Sequence, residues 1–200
     1  MATVGEAPQR LEAVLLAAGT GSRFGGGKLL APYDGGRLLH GALAAAFAAP
    51  VRGVTVVTGA DADAVAAVAR ALHPTVRVVE ARDYAQGMGA SLRAGIASLP
   101  EDAEGAFIFL GDMPRVPHDL AGLLAMALAQ GAPAAAPVFD GRRGNPVLLG
   151  AALFPQLLTL SGDVGARDVL RDLEGLALIE APDDGVLFDV DRPGDIASPS

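Results

Sequence analysis

Short apolar runs recur along the chain at 11–17, 54–57, 76–80, 106–110 and 134–138, most of them closed by Gly, Pro or Asp. Each is strand length, and several are rich in Val. Between them, 38–48, 61–72, 91–99 and 118–130 are alanine-rich segments with helical spacing. A strand that is apolar throughout must be covered on both faces, and a parallel neighbour is reached only through a crossover, usually a helix. The alternation predicts an α/β protein, a Rossmann-like three-layer α/β/α arrangement around a mostly parallel sheet. The second helix opens on Asp61 and Asp63, acidic side chains that suit a helix N-terminus. From Asp140 the rhythm changes. Residues 141–144 read as a turn between 134–139 and 146–149, a hairpin that interrupts the βα order. Helices over 151–158 and 163–173 and strands over 176–180 and 186–190 are expected to complete a single domain over 1–200, with 1–10 a flexible tail.

A hydrophobic content of 51% raises the question of a membrane protein. The longest uncharged run, 120–139, is broken by Gln130, Gly131, Pro133 and Pro137, so it falls short of the ~20 apolar residues a span requires. Residues 1–10 carry no positively charged lead into a signal-type core. No cysteine is present, which excludes disulfides, thiolate metal sites and a cysteine nucleophile, and points to the cytoplasm. A net charge of −8 argues against nucleic acid polymers and anionic membranes as partners.

The first apolar run ends in Leu16-Ala17-Ala18-Gly19-Thr20-Gly21-Ser22-Arg23-Phe24-Gly25-Gly26-Gly27-Lys28. Glycine frees backbone N–H groups, and Arg23 and Lys28 add two cations nearby, which suits phosphate oxygens. The dinucleotide fingerprint fails because Phe24 stands at its third glycine. The P-loop fails because Ser22 and Leu29 stand where a glycine and a hydroxyl are needed. What remains is a longer, basic, glycine-rich loop after the first strand.

The run 106–110 delivers Asp112 to the carboxyl end of a strand, where open α/β sheets bind ligands. A carboxylate beside a triphosphate is repulsive unless a divalent cation lies between them, so Asp112 is a candidate Mg²⁺ ligand; the competing role is a cap for the helix near Pro117. Asp189 and Asp191 repeat the arrangement near the C-terminus. On an extended strand they would share a face, with Asp191 at the end and preferred as the ligand. Gly87 and Ser91 open another helix and offer N–H and hydroxyl groups to a nucleotide, or a plain N-cap. Ser91 is no nucleophile elbow, because Arg93 occupies the final glycine position. His40, His73 and His118 lack ligand spacing and read as structural or solvent-facing, and Met88 and Met113 as packing residues.

Taken together, the basic loop, Gly111-Asp112-Met113-Pro114 and Phe188-Asp189-Val190-Asp191-Arg192-Pro193 resemble the nucleotidyltransferases of molybdenum cofactor biosynthesis, and within them the cytidylyltransferase group. The resemblance runs over about 13–196 and includes 87–95, 141–147 and 162–167. It implies a glycosyltransferase-A type fold, Mg²⁺ as cofactor, and transfer of CMP from CTP to the terminal phosphate of molybdopterin with release of pyrophosphate. On matching positions, Leu16, Ala17 and Ala18 would lie beside the base, and Gly19, Arg23 and Lys28 would hold the triphosphate. Gly87 and Ser91 would complete the nucleotide site, and Asp112 and Asp191 would bind Mg²⁺. Arg23, Lys28 and Asp112 form the implied catalytic set. Arg142, Arg143, Asn145, Asp163 and Arg167 would face the acceptor. The guanylyl relatives tend to read Leu-Ala-Gly-Gly where this chain has Leu16-Ala17-Ala18-Gly19, which favours CTP over GTP. Two departures from the pattern are Phe24, where Met is frequent, and Asn145, where His is frequent in the cytidylyl group. Transient contact with a molybdoenzyme or its chaperone is also implied. The competing readings are the same chemistry with GTP, transfer to another phosphorylated metabolite, and a non-catalytic nucleotide- or cofactor-binding chaperone. The presence of both Asp112 and Asp191 argues against the last.

Overall fold

The computed structural model describes residues 10–196. Most of the expected N-terminal tail lies outside them; its last residue, Arg10, is fixed by its carbonyl, which accepts the Glu104 N–H at 3.0 Å. In chain order the elements are β1 (Leu11–Ala17), β2 (Pro32–Tyr33), β3 (Gly36–Arg37), α1 (Leu38–Ala48), β4 (Val54–Thr58), α2 (Ala62–Leu72), β5 (Arg77–Glu80), α3 (Met88–Ala97) and β6 (Gly105–Leu110). They continue with α4 (Leu120–Ala129), β7 (Ala134–Phe139), β8 (Arg142–Arg143), β9 (Val147–Gly150), α5 (Phe154–Leu157), α6 (Ala166–Val169), β10 (Ala177–Glu180) and α7 (Pro193–Ile196).

The main sheet runs β10-β7-β9-β6-β1-β4-β5. Along this path the pairs are parallel except where β9 lies antiparallel between β6 and β7; β8, off the path, pairs antiparallel with β7. Along β1, Leu11, Ala13, Leu15 and Ala17 pack with residues of α1, α2 and α4, whereas Val14 and Leu16 join the core containing residues of α3, α5 and α6. The expected α/β/α sandwich is the observed one. Its alanine content has a packing reason: Ala42, Ala46, Ala135 and Ala136 are fully buried, and a Cβ on Gly41 would overlap Pro114. Small side chains let helices lie close to the sheet, and Phe107 and Phe109 on β6 fill the volume that remains.

Several boundaries move. The helix expected over 91–99 starts three residues earlier, at Met88, and that over 163–173 is reduced to α6 because Gly162 is left-handed and Gly165 is extended. The region 151–158 divides into a 3-10 turn, Ala151–Leu153, and α5. The hairpin turn lies at Asp140-Gly141, one residue before the expected start, with φ of 49° and 70°, the left-handed pair that a two-residue type I′ turn demands. Asp34-Gly35 makes the same turn between β2 and β3, a hairpin with no counterpart in the sequence reading.

The strand expected over 186–190 does not form. A 3-10 turn, Asp184–Val186, leads into irregular backbone that crosses the strand ends, where Val186 and Val190 are fully buried. Gly185 passes against the Arg115 carbonyl with no room for a Cβ, and the Val190 N–H donates to the Asp112 carbonyl at 3.0 Å. Asp189 and Asp191 therefore do not share a face of an extended strand.

Near the opposite end of β1, Glu12 is 1% exposed and meets both Arg52, at 2.9 Å, and Arg77. The arginines are 33% and 43% exposed, so they can be solvated without Glu12, whereas Glu12 has no such alternative. Replacing both arginines by alanine is expected to cost about 3 kcal/mol, because a buried charge is stranded. Glu12→Leu should cost clearly less. Urea unfolding of the two variants checks the order, which reverses if the arginines are the dependent partners.

Candidate active site

The chain leaves β1, builds outward through β4 and β5, and returns to β6 on the other side of β1. In an open α/β sheet that reversal opens a crevice at the carboxyl ends of the strands. The segments that follow β1 and β6 meet there. The Gly111 N–H donates to the Leu16 carbonyl at 2.9 Å, which continues the pairing one residue past β6 and places Asp112 at the mouth.

The loop after β1 is organised around one carbonyl. The Gly21 oxygen accepts N–H groups from Phe24, Gly25 and Gly26 at 2.9, 3.1 and 3.1 Å. That coil requires Gly25, Gly26 and Gly27 at φ of 99°, 95° and 61° in succession, and only glycine adopts such a run without strain. It ends by turning Lys28 back into the crevice.

Lys28 is 13% exposed; its Nζ donates to Asp112 Oδ2 at 2.7 Å and lies 3.9 Å from Asp191 Oδ1. Arg23, 73% exposed, donates to Asp191 Oδ2 at 2.7 Å. Two loop cations, Asp112 beyond the end of β6 and Asp191 on irregular backbone thus form one continuous array. Asp189 lies close enough to feel it: burial pushes its carboxyl up first, and the charges of Asp112 and Asp191 push it further. Asp112 caps no helix, because α4 begins only at Leu120. Asp195, at the start of α7, accepts the N–H groups of Arg192 and Asp191, and these bonds hold its carboxyl below the usual range.

A cleft of about 380 Å³ runs from this array, lined by Leu16, Ala18, Gly19, Thr20, Gly87, Ser91 and Asp112, among others. Ala17 is excluded: it points into the core and is 2% exposed. A smaller hollow of about 180 Å³ shares Leu16, Met88, Leu110 and Asp163 with the cleft and adds Asn145 and Arg167. The other two expected acceptor arginines, Arg142 and Arg143, do not join them. The Arg143 guanidinium donates to the carbonyls of Leu170 and Arg167 at 2.9 and 2.7 Å, buttressing the wall, and burial presses its pKa down. Arg142 lines a separate hollow beside Phe139 and Phe188. Tyr84, Thr20 and Met88 are cleft residues that the sequence reading missed or assigned to packing, since no charge or spacing marks them.

Asp112 and Asp191 offer oxygen ligands only. Among the described residues no group of three or more His, Cys, Asp or Glu forms a metal cage. Asp112 at the cleft, with Asp191 joined to it through Lys28, fits a hard cation that keeps water and takes its remaining ligands from phosphate, as Mg²⁺ does.

A doubly wound sheet with this array at its switch point defines an α/β enzyme built to handle nucleoside phosphates. The chain belongs to the MobA-like NTP transferase domain family, which it matches over residues 13–177. It is 37% identical to nicotine blue oxidoreductase of Paenarthrobacter nicotinovorans, covering 89% of this chain and 90% of that protein. It is 30% identical to the purine catabolism protein PucB of Bacillus subtilis, covering 90% and 91%. Molybdenum cofactor cytidylyltransferase of Escherichia coli is 24% identical, covering 92% and 93%. Among solved structures, Rv0371c of Mycobacterium tuberculosis superposes with a TM-score of 0.80 at 27% identity, covering 94% of this chain and 96% of that one. Rv0371c has also been solved in complex with manganese.

The cleft wall depends on Gly87, whose φ of 113° and ψ of −179° belong to glycine alone. A Cβ there would overlap the Gly162 carbonyl and stand 2.6 Å from Asp163 Oδ1. Gly87→Ala is expected to cost about 2–3 kcal/mol and to weaken nucleotide binding. Gly162→Ala, with φ of 65° and open space around it, should cost only about 1–2 kcal/mol. Urea midpoints and nucleotide Kd values for the pair test the assignment.

Proposed function

We propose that the protein transfers CMP from CTP to the terminal phosphate of molybdopterin, releasing pyrophosphate, in the cytoplasm. The observation that carries this reading is the Arg23–Asp191–Lys28–Asp112 array at the switch point. An acceptor phosphate oxygen forms a bond to the α-phosphorus while the bond from that phosphorus to the bridging oxygen breaks. The nucleophile is already anionic, so no serine or cysteine is called for. The chain's work is placement and charge balance. Lys28 and Arg23 exchange their carboxylate partners for phosphate oxygens and stabilise the departing pyrophosphate. Asp112 and Asp191 would hold Mg²⁺, which neutralises phosphate charge when bound. Asn145, Asp163 and Arg167 would face the acceptor from the adjoining hollow.

The base preference has a steric support. Ala18 is among the residues lining the cleft, and its methyl packs so close to Gly59 that a Cβ there would lie 2.8 Å away. Alanine where the guanylyl relatives carry glycine stiffens this stretch of the cleft wall and favours the smaller base. The 37% identity to nicotine blue oxidoreductase favours a second reading, a reductase built on the same cleft.

With Mg²⁺ and molybdopterin, pyrophosphate release is expected from CTP and not from ATP, GTP or UTP. Chelation should abolish it, and added Mg²⁺ restore it. Asp112→Ala should lower kcat/KM at least about 100-fold. Ala18→Gly should raise turnover of GTP relative to CTP. Release with GTP alone would overturn the base assignment. Silence with every nucleotide would reject transfer and turn the question to the reductase.

A further inference from the structure

We infer that Asp195 is a positioning residue for Asp191, setting the strength of the metal site without touching metal or substrate. This rests on the reading of Asp191 as a metal ligand. Asp191 is the less constrained of the two carboxylates. Asp112 follows directly from β6 and is fixed by the strand pairing, but Asp191 sits on irregular backbone that no sheet hydrogen bond holds. Two links substitute for a strand. On one side the buried Val190 donates its N–H to the Asp112 carbonyl at 3.0 Å, hanging one ligand segment from the other. On the other side a single oxygen, Asp195 Oδ2, accepts the Asp191 N–H at 2.8 Å and the Arg192 N–H at 2.7 Å. The Asp195 N–H returns a bond to the Arg192 carbonyl at 3.0 Å, closing the turn. The Asp191 backbone is thus pinned from before and after, and its side chain is left to meet Arg23 and Lys28.

The two N–H groups that Asp195 accepts belong to a half-exposed and an exposed residue. Water can take over those bonds when the carboxylate is removed. The fold then survives, while Asp191 gains freedom that metal binding must remove. A group that orients a ligand in this way typically contributes 10–100-fold to metal affinity.

Mn²⁺ is the probe, titrated against the full chain with free ion followed by its EPR signal. Asp195→Ala should raise the Mn²⁺ Kd about tenfold or more while its melting temperature stays close to wild type. Asp195→Asn, which keeps a carbonyl acceptor, should recover most of the affinity. In turnover the apparent constant for Mg²⁺ should rise, with kcat at saturating metal near wild type. Wild-type Mn²⁺ affinity in Asp195→Ala, beside a loss in Asp191→Ala, would overturn the inference alone. Unchanged affinity in Asp191→Ala would remove the metal-site reading itself and this inference with it. An early melting transition in Asp195→Ala would also overturn it, since the bonds would then hold the domain rather than the carboxylate.

Discussion

The parallel pairing of β1 with β6, in register from Leu11 with Gly105 to Leu16 with Leu110, is the constraint on which the site depends. The strands of this sheet that come between them in the chain, β4 and β5, lie on one side of β1, and those after β6 lie on the other. The two strand exits consequently leave the sheet side by side with no strand to separate them. The bond from the Gly111 N–H to the Leu16 carbonyl extends the register past the strand end. A Cβ on Gly111 would stand 3.1 Å from that carbonyl, so the residue before Asp112 is small because the backbones must touch. Shift this register by one residue and Asp112 turns away from Lys28.

The charges at the mouth balance one another. Lys28 faces Asp112 and Asp191, and Arg23 faces Asp191, so each cation has a carboxylate for a counter-ion. The cost of extra negative charge is visible at Asp189, where burial and the two neighbouring carboxylates disfavour ionisation together. A triphosphate entering alone would bring more negative charge to the same place, and a divalent cation alone would meet two ammonium and guanidinium partners already seated. Entering together they bring less net negative charge than the triphosphate alone, and the cations of the array can turn to phosphate oxygens while its carboxylates turn to the metal. Charge pairing of this kind keeps a partly buried site from storing an uncompensated ion when it is free of ligand.

The β1–β6 half of this arrangement was legible in the sequence because its signals are local. Apolar runs, a glycine-rich loop with two cations, and an aspartate at a strand end need only the period of a strand and the conformational freedom of glycine. The C-terminal half was less legible, because its geometry is set by tertiary contact. Residues 186–190 are apolar at four of five positions, like a short buried strand, but Val186 and Val190 plug the end of the core and the segment joins no sheet. Residues 163–173 have helical composition, yet Gly162 and Gly165 hold the segment against Gly87 and Met88 instead. The arginine pair at the β8 hairpin misled for a related reason: one guanidinium turns inward to carbonyls of the cleft wall, which charge counting cannot foresee.

The cleft wall is braced by bonds that do not depend on its own side chains. Arg93 donates to the Leu160 carbonyl, the Gly89 N–H donates to the Gly162 carbonyl at 3.0 Å, and Arg143 holds the carbonyls of Arg167 and Leu170. These bonds are made by backbone acceptors, so they fix the wall whatever side chains it carries. The side chains of Asn145, Asp163 and Arg167 differ from the buttressing arginines: they line the adjoining hollow and make no hydrogen bond or ion pair to other described residues. They can change without loosening the wall, whereas Lys28 and Asp112 cannot change without breaking the array. On the reading proposed above, the acceptor would meet three side chains brought together from separate places in the chain, Asn145 between β8 and β9, Asp163 ahead of α6 and Arg167 within α6, on a wall whose bracing does not depend on them.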